Sequence, residues 1–213
     1  MKHDAVLIHS NIFLGSCRTA FDLAFLKSNH IDFVLCVAAE RSIPSDLPHC
    51  TTLHVPFRDL SSENLSCRTD DILSFYDACD SNIIIACNQG VSRAPSVVML
   101  ILMLRFSFIL SNSFHLIKEK RPQIRPNLGF MEQLVALEVS HFDRDDTSMD
   151  MLMYTFEYVC YLLSVPTGGR PFIRESVRRH AGHGKLCSIS WVKVQDDVLA
   201  EFFGTNWSVI LSR

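Results

Sequence analysis

The chain predicts an α/β fold: a central mixed, mostly parallel sheet flanked by helices on both faces. Three observations carry that expectation. Short β-branched or aromatic runs alternate with segments of helical periodicity through the first two thirds of the sequence. One of them, Ile83-Ile84-Ile85-Ala86, is apolar at every position, as a strand covered on both sides should be. Hydrophobic residues make up 48% of the 213, ample for a sizeable core, and that length fits one domain with an appendage.

Taken in order, Val6-Leu7-Ile8 and Ile12-Phe13-Leu14 read as two short strands joined by the polar His9-Ser10-Asn11. Gly15-Ser16 is a turn, and Ala20, Leu23, Ala24 and Leu26 suit a helix ending near Asn29. Ile31 to Ala38 is a buried strand, and Thr51 to Pro56 another that delivers the chain to Phe57-Arg58-Asp59. Thr69 with Asp70 and Asp71 starts a helix whose apolar face is Ile72, Phe75, Tyr76 and Cys79. Ile83 to Ala86 is the central strand, and Ala94 to about Leu110 the apolar helix behind it, with Pro95 tolerable in its first turn. Ser113 to Lys120 is amphipathic and must stop near Pro122. Asn127 can cap the last core helix, whose stripe is Phe130, Leu134 and Leu137.

The chemistry gathers where the central strand meets its helix, the usual position for a ligand site in such a sheet. Residues 87–93 read Cys87-Asn88-Gln89-Gly90-Val91-Ser92-Arg93, a cysteine entering a short loop and an arginine leaving it six residues further on. Successive backbone N–H groups at a helix N-terminus favour a dianion. The Arg93 guanidinium adds a planar fork for two phosphate oxygens. A thiol in that field ionises and becomes a nucleophile. Thiolate, cradle and fork together describe phosphoryl transfer to Cys87, with Asn88, Gln89, Gly90, Val91, Ser92 and Arg93 as the phosphate-binding set. The plain alternative is an inert buried cysteine ending a core strand.

Composition narrows the classes further. The net charge of −3 and the lack of a long basic run argue against nucleic-acid binding. Eight cysteines with no C-x-x-C pair, and an N-terminus without an apolar core of signal-peptide length, favour free thiols in a reducing compartment. The most apolar segment, Val97 to Leu104, is too short for a bilayer, which needs about 20 residues. The expected location is cytoplasmic, with the nucleus a second compartment open to it. Oligomeric state leaves no mark in the sequence.

The form C-x-x-G-x-S-R, Ile12-Phe13-Leu14-Gly15-Ser16, His54-Val55-Pro56-Phe57-Arg58-Asp59, and Arg121-Pro122 through Arg125-Pro126-Asn127-Leu128-Gly129-Phe130 with Gln133-Leu134 resemble one family. From about Asp4 to Asp143 the chain looks like a small, atypical dual-specificity protein phosphatase of the protein tyrosine phosphatase superfamily. Residues 144–213 would be a C-terminal extension of unknown role. The resemblance implies a protein tyrosine phosphatase-like sheet, phosphorylated protein substrates, a phosphocysteine intermediate, and neither metal nor other cofactor. It implies Cys87 as nucleophile, Arg93 as phosphate fork and Asp59 as general acid, with phosphotyrosine and phosphoserine/phosphothreonine as substrates. Asp59 lies 28 residues before Cys87, a tight spacing for the family. Glu63, Asp70 and Asp71 compete with it, although the last two read as first-turn helix residues.

Two departures qualify the resemblance. The family has His before the cysteine, where this chain has Ala86; the loss is expected to disfavour the thiolate and slow attack near neutral pH. It has Ser or Thr after the arginine, where this chain has Ala94; that hydroxyl would assist breakdown of phosphocysteine. A slow enzyme with an impaired second step is therefore expected. A phosphoprotein-binding pseudophosphatase or scaffold is the alternative reading, and a rhodanese-like sulfurtransferase fits poorly with Ser92-Arg93 and Asn127-Gly129-Phe130.

Beyond Arg144 no catalytic motif is visible. Met149 to Leu163 reads as a packed helix, Pro166-Thr167-Gly168-Gly169 as a turn, Ile189 to Val194 as a strand and Val198 to Phe203 as a short helix. Arg174, Arg178, Arg179 and Lys185 form a modest basic patch. If this region is unpacked, Trp191, Phe202, Phe203 and Trp207 would form an association surface. His180, His183 and Cys187 have metal-ligand chemistry but no fourth partner.

Overall fold

The polar His9-Ser10-Asn11 segment closes a hairpin: β1 (Val6–His9) and β2 (Ile12–Ser16) run antiparallel, with Ser10 in the left-handed region at φ 48°. This computed structural model of the chain describes residues 4–45, 47, 49–163 and 171–203. The remaining strands are β3 (Ile31–Cys36), β4 (Thr51–His54) and β5 (Asn82–Cys87), in the order β1-β2-β5-β3-β4. The β2–β5, β5–β3 and β3–β4 pairs are all parallel, so the sheet is mixed and mostly parallel, as expected. Ile83, Ile84, Ile85 and Ala86 are each 0% exposed. Successive strand residues face opposite sides, so both faces of β5 are covered. Burying each of those isoleucines contributes about 1.5–3 kcal/mol.

The helices of this part are α1 (Cys17–Ala20), α2 (Leu23–Ser28), α3 (Thr69–Asp77), α4 (Arg93–Phe106), α5 (Leu110–Lys120) and the start of α6 (Leu128–His141). Asp22 accepts from the Ala24 and Phe25 N–H groups and caps α2, which explains why the expected single helix breaks in two. The helix expected to reach Leu110 stops at Phe106 because Ser107 turns left-handed at φ 56°, and α5 restarts at Leu110. Every residue of α4 from Arg93 to Met103 is buried, which accounts for its lack of a polar stripe.

Two compact units result, Met1–Leu134 and Val135–Arg213, the division falling within α6. In the second unit α7 (Met151–Leu162), α8 (Pro171–Ala181) and α9 (Trp191–Phe203) pack on one another. The strand expected over Ile189 to Val194 is absent; α9 begins at Trp191 instead. Trp191, Val194, Val198 and Leu199 are buried at helical spacing, a period that a short window starting at Ile189 hides. Trp191 is 0% exposed and so forms no association surface, while Trp207, the side chains of Phe202 and Phe203, and the 166–169 turn lie outside the described residues. Helix α8, unanticipated, carries Arg174, Arg178 and Arg179. His180 Nε2 lies 3.1 Å from Glu201 Oε2, and the Cys187 N–H donates to Asp146.

Candidate active site

The site begins where β5 runs out. Cys87 is its last residue, 2% exposed, and Arg93 is the first of α4, 5% exposed, so the fold brings the two together across a loop of five residues. Gly90 takes φ 65° in the middle of that loop. A Cβ there would stand 2.5 Å from the Gly15 carbonyl oxygen, so a side chain is excluded both by the backbone and by space.

Outside donors hold the loop's carbonyl oxygens. Arg121, 2% exposed, donates from Nε to the Gly90 carbonyl at 2.8 Å and from Nη2 to the Gln89 carbonyl at 2.8 Å. The Arg125 N–H reaches the Val91 carbonyl at 2.7 Å. Arg121 in turn donates to the Asp4 backbone carbonyl and, at 3.1 Å, to the Asp4 carboxylate. Burial works to raise the Asp4 pKa, but hydrogen bonds from Thr19, Ser16 and Arg121 outweigh it and hold that carboxyl below its ordinary range.

The two ends of the loop are gripped from the segment after β3. Glu40 receives Arg93 Nη1 at 2.5 Å and Nη2 at 2.6 Å, a two-point pairing, while Arg41 donates to Asn88 Oδ1 at 2.8 and 2.5 Å. Arg93 Nη1 also donates to the Phe57 carbonyl at 3.1 Å. Its Nε is a buried donor without a hydrogen-bond partner among the described residues. Arg93's hydrogen bond draws the Glu40 carboxyl down against the opposing effect of burial.

Asp59 stands beside Arg93, with Oδ2 3.7 Å from the Arg93 Nε. Its Oδ1 accepts from Ser92 Oγ at 2.6 Å and from Asn127 Nδ2 at 2.9 Å. Of the competing carboxylates, Glu63 pairs with Arg58 at 2.9 Å, and Asp70 and Asp71 sit in the first turn of α3. Ser96 Oγ donates to the Ser92 carbonyl at 2.9 Å. It is therefore occupied by its own helix. Two further thiols lie nearby, Cys17 at the start of α1 and Cys36 at the end of β3: their Sγ atoms are 3.6 Å apart, and their hydrogen bond, then burial, pushes the Cys17 thiol well up.

A short loop between a buried cysteine and a buried arginine, with a carboxylate alongside, is suited to phosphate. The model of the dual specificity phosphatase catalytic domain matches residues 12–140. The chain belongs to the dual specificity phosphatase family. Dual specificity protein phosphatase 5 of Rattus norvegicus is 33% identical over 134 residues, covering 60% of this chain and 34% of the rat protein. Dual specificity protein phosphatase 19 of Mus musculus is 32% identical over 133 residues, 60% of this chain and 59% of that protein. The crystal structure of human DUSP28 superposes with a TM-score of 0.62 at 25% identity, over 67% of this chain and 97% of DUSP28. The chain thus spans about a third of the length of the rat phosphatase it matches.

Sequence reasoning singled out Cys87, Arg93, Asp59 and the loop between Cys87 and Arg93. It missed Glu40 and Asp4, and gave Arg121 no role and Asn127 only that of a cap. For Arg121 a signal existed, an arginine just before a proline at a helix end, but nothing in one sequence states which carbonyls it reaches. Glu40 follows an alanine pair at the end of a strand and carries no pattern of its own.

Proposed function

We propose that the chain is a cysteine-dependent protein phosphatase that hydrolyses phosphotyrosine and phosphoserine/phosphothreonine through a phosphocysteine on Cys87. The observation that carries the reading is the buried Arg93 Nε: it has no hydrogen-bond partner among the described residues, lies 3.7 Å from Asp59 Oδ2, and belongs to the arginine that closes the loop started by Cys87. Glu40 occupies the two Nη groups, which orients the guanidinium and leaves Nε for an equatorial phosphate oxygen. The Gln89, Gly90 and Val91 carbonyls are held by Arg121 and the Arg125 N–H, and on this reading the N–H groups of residues 88–93 donate to the same phosphate.

In the first step the Cys87 thiolate attacks phosphorus, the P–O bond to the side chain breaks, and Asp59 gives its proton to the departing oxygen. In the second, Asp59 takes a proton from water, the water oxygen attacks phosphorus, and the S–P bond breaks to restore the thiolate. Ala86 offers no polar group to Cys87. Ala94 carries no hydroxyl and Ser96 is bound to its own helix, so neither assists the leaving thiolate, and the second step is the slow one on this reading.

Hydrolysis of a generic aryl phosphate from acid to neutral pH, by wild type beside Cys87→Ser, tests the reading. Turnover lost in the variant supports it; no turnover from folded wild type overturns it in favour of phosphoprotein binding. Pre-steady-state traces should show a burst of phenol followed by a slower phase, and a linear trace would count against a slow second step.

A further inference from the structure

Asn127 does more than cap a helix. Its Oδ1 accepts from the Phe130 N–H at 3.0 Å, its own N–H donates to Ser92 Oγ at 3.1 Å, and its Nδ2 donates to Asp59 Oδ1 at 2.9 Å. Ser92 Oγ then donates to that same Asp59 oxygen at 2.6 Å. Both donors therefore converge on Oδ1, and the remaining oxygen, Oδ2, is the one turned toward the Arg93 Nε. Asn127 is itself 6% exposed and fixed at the start of α6, whereas Asp59 lies in an irregular segment with its side chain 40% exposed. A carboxylate on such a segment has many rotamers open to it, and two donors on one oxygen select among them.

We infer that Asn127 is a positioning residue for the general acid: it holds Asp59 Oδ1 so that the proton is carried on Oδ2 and delivered to the leaving oxygen. The inference rests on the phosphatase reading and on Asp59 as its acid. The chemistry makes a distinct demand. Asp59 matters only when the leaving oxygen needs a proton, so the loss of its positioning must scale with the basicity of the leaving group. A helix cap alone has no such selectivity.

Asn127→Ser separates the two roles, because serine caps a helix about as well as asparagine but is too short to replace the amide donor. The backbone N–H bond to Ser92 survives the change. We compare kcat/KM for phenyl phosphate, a poor leaving group, and for 2,4-dinitrophenyl phosphate, which departs without a proton. This parameter ends at the first P–O cleavage and is blind to a slow second step. Asn127→Ser is expected to lose roughly 10- to 100-fold on phenyl phosphate and less than about threefold on the dinitrophenyl ester, at an unchanged melting temperature. Asp59→Ala should show the larger split, and the double variant should resemble Asp59→Ala alone. Asn127→Asp, which keeps the cap acceptor and removes the donor by another route, should repeat the split if the serine variant folds poorly. Equal losses on both esters, or none on either, in an Asn127 variant would overturn the inference while a split in Asp59→Ala keeps the phosphatase reading. No split in Asp59→Ala, or no turnover by wild type, would bring down Asp59 as the acid and the inference with it.

Discussion

At the scale of single residues, the site is an exercise in what each arginine nitrogen is given to do. Arg93 has two nitrogens tied to Glu40 and one left over, so neutralising Glu40 should loosen the fork without removing it. Glu40→Gln is expected to raise KM for an aryl phosphate roughly three- to tenfold, the modest size reflecting a carboxylate that is nearly half exposed. Arg93→Lys cannot reproduce the planar pairing and should cost about 100-fold or more in kcat. Ala94 permits a gain-of-function prediction: Ala94→Ser should raise kcat about tenfold, the worth of one good hydrogen bond to sulfur, and shrink the burst while kcat/KM stays put. At this scale the sequence was informative where a motif fixes spacing, as with Cys87 and Arg93, and silent where a contact spans long separations. Glu40 and Arg93 are 53 residues apart, Asp4 and Arg121 117, and no local pattern records either meeting.

At the scale of elements, the start of α6 lies against the loop that follows Asp59. A Cβ on Gly129 would stand 1.9 Å from the Ser61 carbonyl oxygen, which is backbone and cannot swing aside. Gly129→Ala must therefore push the loop and the helix apart. Destabilisation of about 1–3 kcal/mol is expected in urea unfolding, along with a phenyl phosphate defect larger than the stability loss alone would cause. The helices and strands themselves were legible because period and caps are local, and Asp22, Ser107 and Trp191 mark where that legibility ended. Asp22 caps a second helix where one was expected. Ser107 adopts a left-handed conformation that no glycine announces. Trp191 begins a helix whose apolar period shows only over more than two turns.

At the scale of the whole molecule, Asp4 joins the first residues of the chain to Ser16, Thr19 and the arginine beneath the phosphate loop. Its folded pKa lies below the ordinary value, so its contribution to stability is present above the unfolded carboxyl's range and is lost as pH falls through the folded value. Asp4→Asn should lower stability at neutral pH and flatten its decline on acidification, as read by melting temperature against pH. In the second unit α7, α8 and α9 cover one another, so they should be deleted together or not at all. A chain ending at Leu163 is expected to bind a hydrophobic dye and aggregate more readily than one ending at Met149, since it keeps α7 without its partners. The adjacency of Glu40 and Arg41 has a different kind of consequence. Two adjacent exposed residues in the connection between β3 and β4 hold both ends of the phosphate loop, at Asn88 and at Arg93. Substitutions at that pair should therefore change turnover while Cys87 and Arg93 stay untouched.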